Sequence, residues 1–550
     1  MQKKSKSVLI SLLVIPILVI VLGFSGSDSY FEISRNLDIF TTLFKEVNAY
    51  YVDEIEPEPL MRKGIDSMLS SLDPYTKFIP EEELESYRAI TTGQYGGIGV
   101  LVGNIDDKAF IINLYENYAA HKAGIKIGDE IVSINGKSIE SQDPEEVTHF
   151  LKGTPNSVVN VTVKRLGVVD PISFQLKREK IIVGNVPYAG LIEGNVGYIL
   201  LSEFTFGASK EVSNQIRQLK EKGAESIILD LRGNRGGLLN EAINIANIFI
   251  PKGKEIVSTK GKVDSWNKSY KALNMPVDIA IPLAILINNV SASASEIVAG
   301  VIQDYDRGVL VGRKTFGKGL VQTTRPLSYN AQLKVTTAKY YTPSGRCIQR
   351  VNYTDKNIIG EAEDFPDSLI TEFKTSGGRE IYDGDGLIPD VKVEGKEMAD
   401  VTKSLLFNGV LFNYANVFFS ENESIEPAST FELSDDDYLK FKNWVKQENF
   451  DYKIELESRI KSLEDFAKSE MLYDKMNSRL EELKSNIELS KSEDFDKYKE
   501  EIKLMLTKEI VSRYFLLKGS IVSTINKDDD IAEAVNLLQD SARYNKTLNR

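Results

Sequence analysis

Residues 226–237 read Ser-Ile-Ile-Leu-Asp-Leu-Arg-Gly-Asn-Arg-Gly-Gly, an apolar strand that runs directly into a glycine-rich turn. An earlier strand at 196–201 precedes an amphipathic helix at 209–222, and a helix at 238–250 precedes a strand at 281–288. This alternation of strands and helices predicts a mainly parallel sheet with crossover helices. Because ligand sites in such sheets gather at the carboxyl ends of strands, we expect the functional site at the turns that follow these strands.

The turn after the last of these strands is rich in serine. It reads Ser291-Ala-Ser-Ala-Ser-Glu296, and a second motif, Thr315-Phe-Gly-Lys-Gly-Leu-Val-Gln322, follows it. A helix is predicted from Ala294 to about Tyr305, and serine is a preferred residue at a helix N-terminus, so one of the three serines is expected to cap it. The two histidines, His121 and His149, lie near neither motif. A Ser-His-Asp triad is therefore hard to build, whereas a serine nucleophile with a lysine base remains available.

A second region, residues 95–165, has a different pattern. Gly96-Gly-Ile-Gly-Val100 opens an alternating strand, Ala123-Gly-Ile-Lys-Ile-Gly-Asp-Glu-Ile follows a loop, and the valines of 158–164 alternate as in a strand. A Gly-x-Gly by itself indicates only a tight turn, but the combination resembles a PDZ domain. Successive backbone N–H groups of a glycine-rich turn can hold a carboxylate, and the strand edge beside it can accept an extended peptide.

The PDZ resemblance implies specific peptide-binding residues. The carboxylate-binding loop corresponds to Gly97, Ile98, Gly99 and Val100, and the groove helix to residues 145–151. One departure is visible, since the chain has Tyr118-Ala-Ala-His121 where family members often carry Ser-Pro-Ala. We therefore expect a different loop at that point.

The serine, lysine and glycine motifs together resemble the C-terminal processing (tail-specific) peptidases, serine proteases that cut proteins near their carboxyl ends. The resemblance covers roughly residues 30–395 and includes Tyr340-Tyr-Thr-Pro-Ser-Gly-Arg346. It implies a crotonase- or ClpP-like α/β protease core with an inserted PDZ domain, a helical N-terminal unit and a helical C-terminal accessory domain. The catalytic set that it implies consists of the nucleophile Ser293, the base Lys318, the orienting residue Gln322, and the oxyanion-binding N–H groups of Gly237 and Ala294.

Lys318 must be neutral to act as a base. Its pKa must therefore fall from about 10.4 toward neutrality, and burial is the physical means, because desolvation disfavours the ammonium form. Phe316 and Val321 lie beside Lys318 in the sequence. In the glycine-rich turn, Arg232 and Asn234 are interpreted as residues that pin the turn rather than as catalysts.

The domain boundaries follow from changes in composition. Lys3, Lys4 and Lys6 precede an apolar run at 8–24, the pattern of export. We predict a signal peptide or membrane anchor at 1–26, and cleavage and retention are both open. The remaining predicted units are a helical unit at 27–92, the PDZ domain at 93–170, the protease core at 171–400, and a Lys/Glu/Asp-rich helical domain at 401–550. In this last domain, 455–484 and 498–518 have helical spacing with apolar residues on one face only.

Composition excludes several classes of protein. A net charge of −13 argues against a nucleic-acid partner, and a single cysteine, Cys347, excludes an internal disulfide. No metal or organic cofactor is implied. The leading hypothesis is a serine endopeptidase of the periplasm or cell envelope that acts on proteins or peptides with free apolar C-termini. An inner-membrane anchor, an adaptor protein and a homo-oligomer are left open.

Two alternatives compete with this hypothesis. One is a catalytically inactive PDZ adaptor or scaffold, against which the intact set of Ser293, Lys318, Gln322 and Gly237 argues. The other is a hydrolase or isomerase of acyl thioesters, against which the PDZ insertion argues. Fold alone does not decide between them.

Overall fold

The computed structural model describes residues 27–140, 142–356, 362–364 and 367–550. The chain divides into two compact units, residues 1–78 and residues 79–550. The first contains helices α1 (Ser27–Tyr50) and α2 (Pro57–Ser70), and Pro57 begins α2 where its missing N–H costs no hydrogen bond. The segment predicted to direct export, 1–26, lies outside the described residues. A short strand, β1 (Lys77–Ile79), marks the boundary.

The second unit begins with helix α3 (Leu84–Thr92) and an antiparallel sheet at the predicted PDZ position. Its order is β3-β4-β5-β7-β8, with β6 on β5, while β2 pairs with β9. Helices α4 (Ala119–Ala123) and α5 (Pro144–Leu151) accompany it. The strands are β2 (Gln94–Gly97), β3 (Val100–Ile105), β4 (Lys108–Leu114), β5 (Glu130–Ile134), β6 (Lys137–Ser138), β7 (Val158–Lys164), β8 (Ile172–Lys177) and β9 (Glu179–Ile182).

The alternation of β7 explains how this sheet is stabilised. Val159, Val161 and Val163 are fully buried and share a core with Val147 of α5. Residues two apart lie on the same face of a strand, so the period-two valines form one apolar face. The predicted strand at 158–164 and the helix expected at 145–151 are thus both confirmed.

The next sheet has six strands in the order β10-β11-β12-β15-β16-β23 and is parallel except for β10. Its strands are β10 (Tyr188–Ile192), β11 (Val196–Leu200), β12 (Ser226–Asp230), β15 (Leu283–Ile287), β16 (Val309–Gly312) and β23 (Val391–Lys392). The connections hold α6 (Ala208–Glu221), α7 (Leu239–Phe249) and α8 (Ala294–Asp304). The predicted parallel sheet and its crossover helices are confirmed.

Alternate residues of the central strands face two different cores. Ile227 and Leu229 belong to a core shared with α6, α7 and α8, whereas Ile228 faces a second core on the opposite side. The second core is completed by residues from far along the chain, among them Ile531, Leu537 and others that belong to the last two helices.

A smaller antiparallel sheet includes the strands β17-β18-β13-β14 in that order. They are β13 (Glu255–Gly261), β14 (Lys268–Lys271), β17 (Leu320–Pro326) and β18 (Gln332–Tyr341). Two short hairpins follow, formed by β19 (Val351–Lys356) with β20 (Ala362–Asp364) and by β21 (Glu372–Lys374) with β22 (Glu380–Tyr382). The Lys318 motif enters β17 and is therefore held by this sheet.

The rest of the chain is helical, as predicted. The helices are α9 (Asp400–Phe407), α10 (Val410–Glu421), α11 (Asp435–Gln447), α12 (Glu455–Ser469), α13 (Tyr473–Lys497), α14 (Lys499–Ile525), α15 (Asp529–Gln539) and α16 (Ser541–Thr547). The segment 455–484, predicted to be helical, is divided between α12 and α13, and Met471 between them has a positive φ of 56°. Among the helices described, none is long and apolar enough to cross a membrane.

The C-terminal helices contact both earlier parts of the second unit. Phe412 of α10 lies in the core of the PDZ-like sheet, with its ring 5.6 Å from that of Phe110. Helices α15 and α16 cover the second face of the parallel sheet, where the Tyr544 hydroxyl accepts a hydrogen bond of 3.0 Å from the N–H of Leu283. The pattern of charges in this domain did not indicate that α15 and α16 cover one face of the parallel sheet.

Candidate active site

Two loops meet at the carboxyl ends of β12 and β15, where the sequence predicts the site. The glycine-rich loop spans residues 231–237 and the serine-rich turn spans residues 288–296. The backbone carbonyl of Asn234 accepts hydrogen bonds from the N–H of Ala292 (3.1 Å) and the hydroxyl of Ser295 (2.9 Å). The Asn234 side chain also donates to the carbonyl of Leu201 at 2.7 Å. Asn234 thus pins the turn, as predicted, and fixes the two loops against each other.

The three serines of the turn differ in their surroundings. Ser291 and Ser295 are fully buried, and their hydroxyls donate to the carbonyls of Leu231 (2.8 Å) and Asn234 (2.9 Å). Ser293 alone of the three is partly exposed. Ser291 and Ser295 are therefore structural, and the role of Ser293 as the nucleophile stays a prediction.

Ser293 also has an unusual backbone. It occupies the N-cap position of α8 with φ 57° and ψ −112°, a conformation that a residue with a Cβ rarely adopts. Such strain costs on the order of 1–3 kcal/mol and persists only where surrounding contacts enforce it. The conformation places Ser293 at the positive end of α8, where the helix dipole favours developing negative charge.

The glycine-rich loop approaches this serine closely. A Cβ added to Gly236 would lie 2.9 Å from the Cβ of Ser293 and 2.8 Å from the backbone nitrogen of Ala294. Gly237 has φ 148°, and a Cβ there would lie 2.5 Å from the carbonyl oxygen of Phe204. Only glycine fits at both positions. Because Gly236 meets Ser293 and the backbone nitrogen of Ala294, the loop that carries Gly237 is in contact with the start of α8.

A buried carboxylate connects the serine-rich turn to the lysine motif. Glu296, the third residue of α8, is fully buried and accepts from the backbone N–H of Ser293 at 2.8 Å. It also accepts from the hydroxyl of Thr315 (2.6 Å) and from the N–H groups of Gly317 (2.8 Å) and Lys318 (2.9 Å). One side chain therefore fixes the backbone of Ser293 relative to the backbone of Lys318.

Burial raises the pKa of Glu296 to about 7, although four hydrogen bonds to its carboxylate act in the opposite direction. The sequence analysis did not single out Glu296. A serine followed three residues later by glutamate is the capping-box pattern, and that pattern was the available signal.

Lys318 lies between two glycines at the entrance to β17 and is partly buried. The N–H of Gly319 donates to the side-chain oxygen of Gln349 at 2.7 Å, and the hydroxyl of Tyr340 donates to the carbonyl of Ser293 at 3.2 Å. The Gln322 amide nitrogen donates to the hydroxyl of Thr336 at 3.3 Å. The roles of Lys318 and Gln322 stay predictions.

The expected peptide-binding loop lies between β2 and β3. Gly99 has φ 84°, and a Cβ there would lie 2.5 Å from the Cβ of Tyr118. The carbonyls of Ile98 and Gly99 accept from the N–H groups of Ala120 and Tyr115, both at 3.0 Å. All four residues from Gly97 to Val100 are buried, and their role in binding a carboxylate stays a prediction.

The departure from the family pattern forms a defined local structure. Tyr118 precedes α4, and its hydroxyl accepts from the N–H of Ile182 at 2.9 Å. Both histidines lie on helices of this domain, His121 on α4 and His149 on α5. Neither histidine belongs to the two loops at the end of the parallel sheet.

Among residues 27–140, 142–356, 362–364 and 367–550, no group of three or more His, Cys, Asp or Glu side chains is arranged to hold a metal ion. Cys347 is the single cysteine, and burial raises the pKa of its thiol. A Cβ on Gly319 would lie 3.3 Å from its sulfur, so Cys347 packs beneath the lysine motif.

A strained serine at a helix N-terminus, a facing glycine loop and a lysine turn that is hydrogen-bonded to the same glutamate lie together here, which is the arrangement expected from the sequence for a serine-type peptidase. Comparison with known proteins agrees. The model of peptidase family S41 matches residues 195–357, that of the PDZ domain 89–164, and that of a probable PDZ-protease C-terminal helical domain 401–538.

Individual proteins are similar to this chain over more than half of its length. A carboxy-terminal-processing protease of Bartonella bacilliformis is 35% identical over 336 residues, which are 60% of this chain and 76% of that protein. A probable CtpA-like serine protease of Staphylococcus aureus (strain COL) is 37% identical over 316 residues, which are 57% of this chain and 62% of that protein. The structure of a photosystem II D1 C-terminal processing protease shares 25% identity, with a TM-score of 0.35, over 64% of this chain and 92% of that one. The chain belongs to peptidase family S41 and is a serine-type peptidase with an inserted PDZ domain.

Proposed function

We propose that this peptidase cleaves proteins near their carboxyl ends with Ser293 as nucleophile and Lys318 as general base. The observation that carries the proposal is the buried Glu296, whose carboxylate bonds the backbone N–H groups of both residues. A scaffold protein has no need for this connection. The names of the relatives, which are carboxy-terminal-processing and CtpA-like proteases, support the same substrate class.

The proposed reaction proceeds in two halves. Neutral Lys318 takes the proton of the Ser293 hydroxyl while the oxygen attacks the substrate carbonyl, and the N–H groups of Gly237 and Ala294 stabilise the resulting oxyanion. The ammonium of Lys318 then returns the proton to the leaving amine, which gives an acyl-enzyme. Water attacks this ester through the same base, releases the carboxylate product and regenerates Ser293. Gln322 would orient the lysine amine.

The PDZ domain supplies the preference for chain ends. The backbone N–H groups of the Gly97–Val100 loop bind the substrate carboxylate, and the edge of β3 pairs with the residues that precede it. A substrate held in this way stays on the same molecule as Ser293, which raises its local concentration at the nucleophile. An apolar last residue is favoured because a charged one would lose its hydration without gaining a partner.

Location belongs to the same proposal. The lysines at positions 3, 4 and 6 and the apolar run that follows have the pattern of an export segment, so the enzyme would act in the periplasm or cell envelope. The mass of the mature chain, measured on the exported protein, would show whether this segment is removed or stays as an anchor.

Single substitutions at the two proposed catalytic residues test the mechanism. Ser293→Ala and Lys318→Ala should each abolish cleavage of an unfolded protein with an apolar C-terminus, and the double variant should be no worse, because the two residues act as one unit. Ser291→Ala and Ser295→Ala are matched controls that remove buried structural hydroxyls and should leave measurable turnover. Robust cleavage by Ser293→Ala would reassign the nucleophile, and peptide binding without cleavage by the wild type would indicate a PDZ adaptor.

A further inference from the structure

The C-terminal helices reach the glycine-rich loop through one arginine. Arg232 follows β12, and its Nη1 lies 2.8 and 2.9 Å from the two carboxylate oxygens of Asp528 and 2.8 Å from Oδ2 of Asp530. Nη2 of the same side chain donates to Asp230 at 2.6 Å. The guanidinium thus joins the end of a central strand to the N-terminus of α15, which lies nearly 300 positions later in the sequence.

Most of these groups are shielded from water, and Asp528 is the most exposed of the three aspartates that pair with Arg232, at 29%. The side chains of Arg232 and Asp530 are 16% and 5% exposed, and Arg313 adds a second contact to Asp530 at 3.1 Å. Burial alone would lower the pKa of Arg232, but the carboxylates of Asp230 and Asp528 outweigh it and the pKa is raised. Arg232 and its aspartates therefore stay charged because they pair with one another. Removing the charges of one sign would leave those of the other sign without a partner.

The arginine is built into the loop that carries Gly237. Its own N–H donates to Asp230 at 2.9 Å, the preceding carbonyl of Leu231 accepts from Ser291, and the next N–H, that of Gly233, donates to Asn288 at 3.1 Å. Both neighbours of Arg232 are thus bonded to the serine-rich turn. A shift of Arg232 would move the loop relative to Ser293.

We propose that Asp528 and Asp530 are positioning residues of this peptidase, which hold Arg232 and through it place the N–H of Gly237 opposite Ser293. This inference rests on the proposed role of Gly237 in binding the oxyanion. The helical C-terminal domain would then be a working part of the active site and not only an accessory. Because a displacement of about 1 Å can cost about 100-fold in rate, a loosened arginine is expected to lower turnover substantially.

Three adjacent aspartates allow a matched test. Asp528→Asn/Asp530→Asn removes the two carboxylates of the C-terminal domain that pair with Arg232 and leaves Asp230 in place. Asparagine at 528 keeps the cap that its side chain provides to the N–H of Ile531. Asp529→Asn is the control, because Asp529 is 68% exposed and its carboxylate lies 3.6 Å from the exposed Lys396 rather than at Arg232. We expect kcat on a quenched-fluorescent peptide with a free apolar C-terminus to fall about 10- to 100-fold in the double variant, with KM unchanged, and to stay at the wild-type value in Asp529→Asn.

A double-mutant cycle separates positioning from general destabilisation. In an Arg232→Gln background the two aspartate substitutions should cause little further loss of kcat, since their effect passes through Arg232. Asp528→Asn/Asp530→Glu, which keeps a carboxylate at position 530, should retain more of the wild-type kcat than Asp528→Asn/Asp530→Asn. Wild-type kcat in the double variant, or losses that add fully to those of Arg232→Gln, would overturn the inference. Failure of the catalytic proposal is read separately, from residual activity of Ser293→Ala.

Discussion

Replacement of Glu296 by glutamine tests how the site is assembled. The carboxylate accepts four hydrogen bonds, from Ser293, Thr315, Gly317 and Lys318, and glutamine keeps one oxygen but presents an NH₂ group to donors that face the other. Ser293 and Lys318 are bonded to the same oxygen, Oε2, so the substitution disturbs their shared contact or the contact of the other pair. Because misalignment by about 1 Å can cost about 100-fold, we expect kcat to fall by about that factor.

The same substitution has a pH-dependent effect on stability. Burial raises the pKa of Glu296 from 4.5 to about 7, so between these values the folded state binds more protons than the unfolded state. Stability from this group is therefore greatest below pH 4.5 and falls as the pH rises toward 7. At about 1.4 kcal/mol per pH unit, the loss over this interval is about 3 kcal/mol. Glutamine does not titrate and should show no such loss.

Urea unfolding at a series of pH values between 4.5 and 8 measures this difference. The experiment is best done in a Ser293→Ala background, which should prevent self-digestion. The margin of stability of Glu296 over glutamine should shrink by about 3 kcal/mol as the pH rises to 7. Glu211→Gln is the control, since Glu211 also accepts backbone hydrogen bonds, from Asn185 and Val186, neither of which belongs to the serine-rich turn or the lysine motif. Parallel stability curves for Glu296 and glutamine, or unchanged kcat, would refute the reasoning.

Two further predictions concern the base and the PDZ domain. The pH–rate profile should show activity that rises with pH, and this rise should persist in His121→Gln and His149→Gln, because both histidines lie on helices of the PDZ domain. Loss of the rise in a stably folded histidine variant would exclude lysine as the base. Substrates with a free apolar C-terminus should be cleaved faster than the same chains with an amidated end, since the Gly97–Val100 loop is suited to a carboxylate. Equal initial rates in a competition assay would show that the loop does not read the terminus.

The sequence predicted the elements whose signal is local. The valines of β7 and the apolar run of β12 indicated their strands through spacing alone, and the turns after β12 and β15 were expected at one edge of the sheet. The break between α12 and α13 was missed, because the segment 455–484 has helical spacing on both sides of it. Methionine rarely adopts a positive φ, so the residue type at position 471 gave no indication of the break.

The contacts that complete the site were not predictable from spacing. The choice of Ser293 over Ser291 and Ser295 depends on which hydroxyls find carbonyls, and those carbonyls belong to a loop some 60 residues earlier. The same holds for Arg232, which the sequence marked as a pin of its own turn. Its partners at 528 and 530 lie in a region whose mixed charge resembles any solvated helix surface.

The second core can form only after residues far apart in the sequence have both been synthesised. The strands from β11 to β16 leave one apolar face that is covered by residues 525–548, more than two hundred positions further along the chain. At about 5–20 residues per second, a ribosome needs on the order of 10–50 s to reach them after β16 is made. During that interval Arg232 lacks the partners that α15 supplies. On the proposed role of Arg232, a newly made chain would acquire its proteolytic competence only once α15 has docked on the parallel sheet.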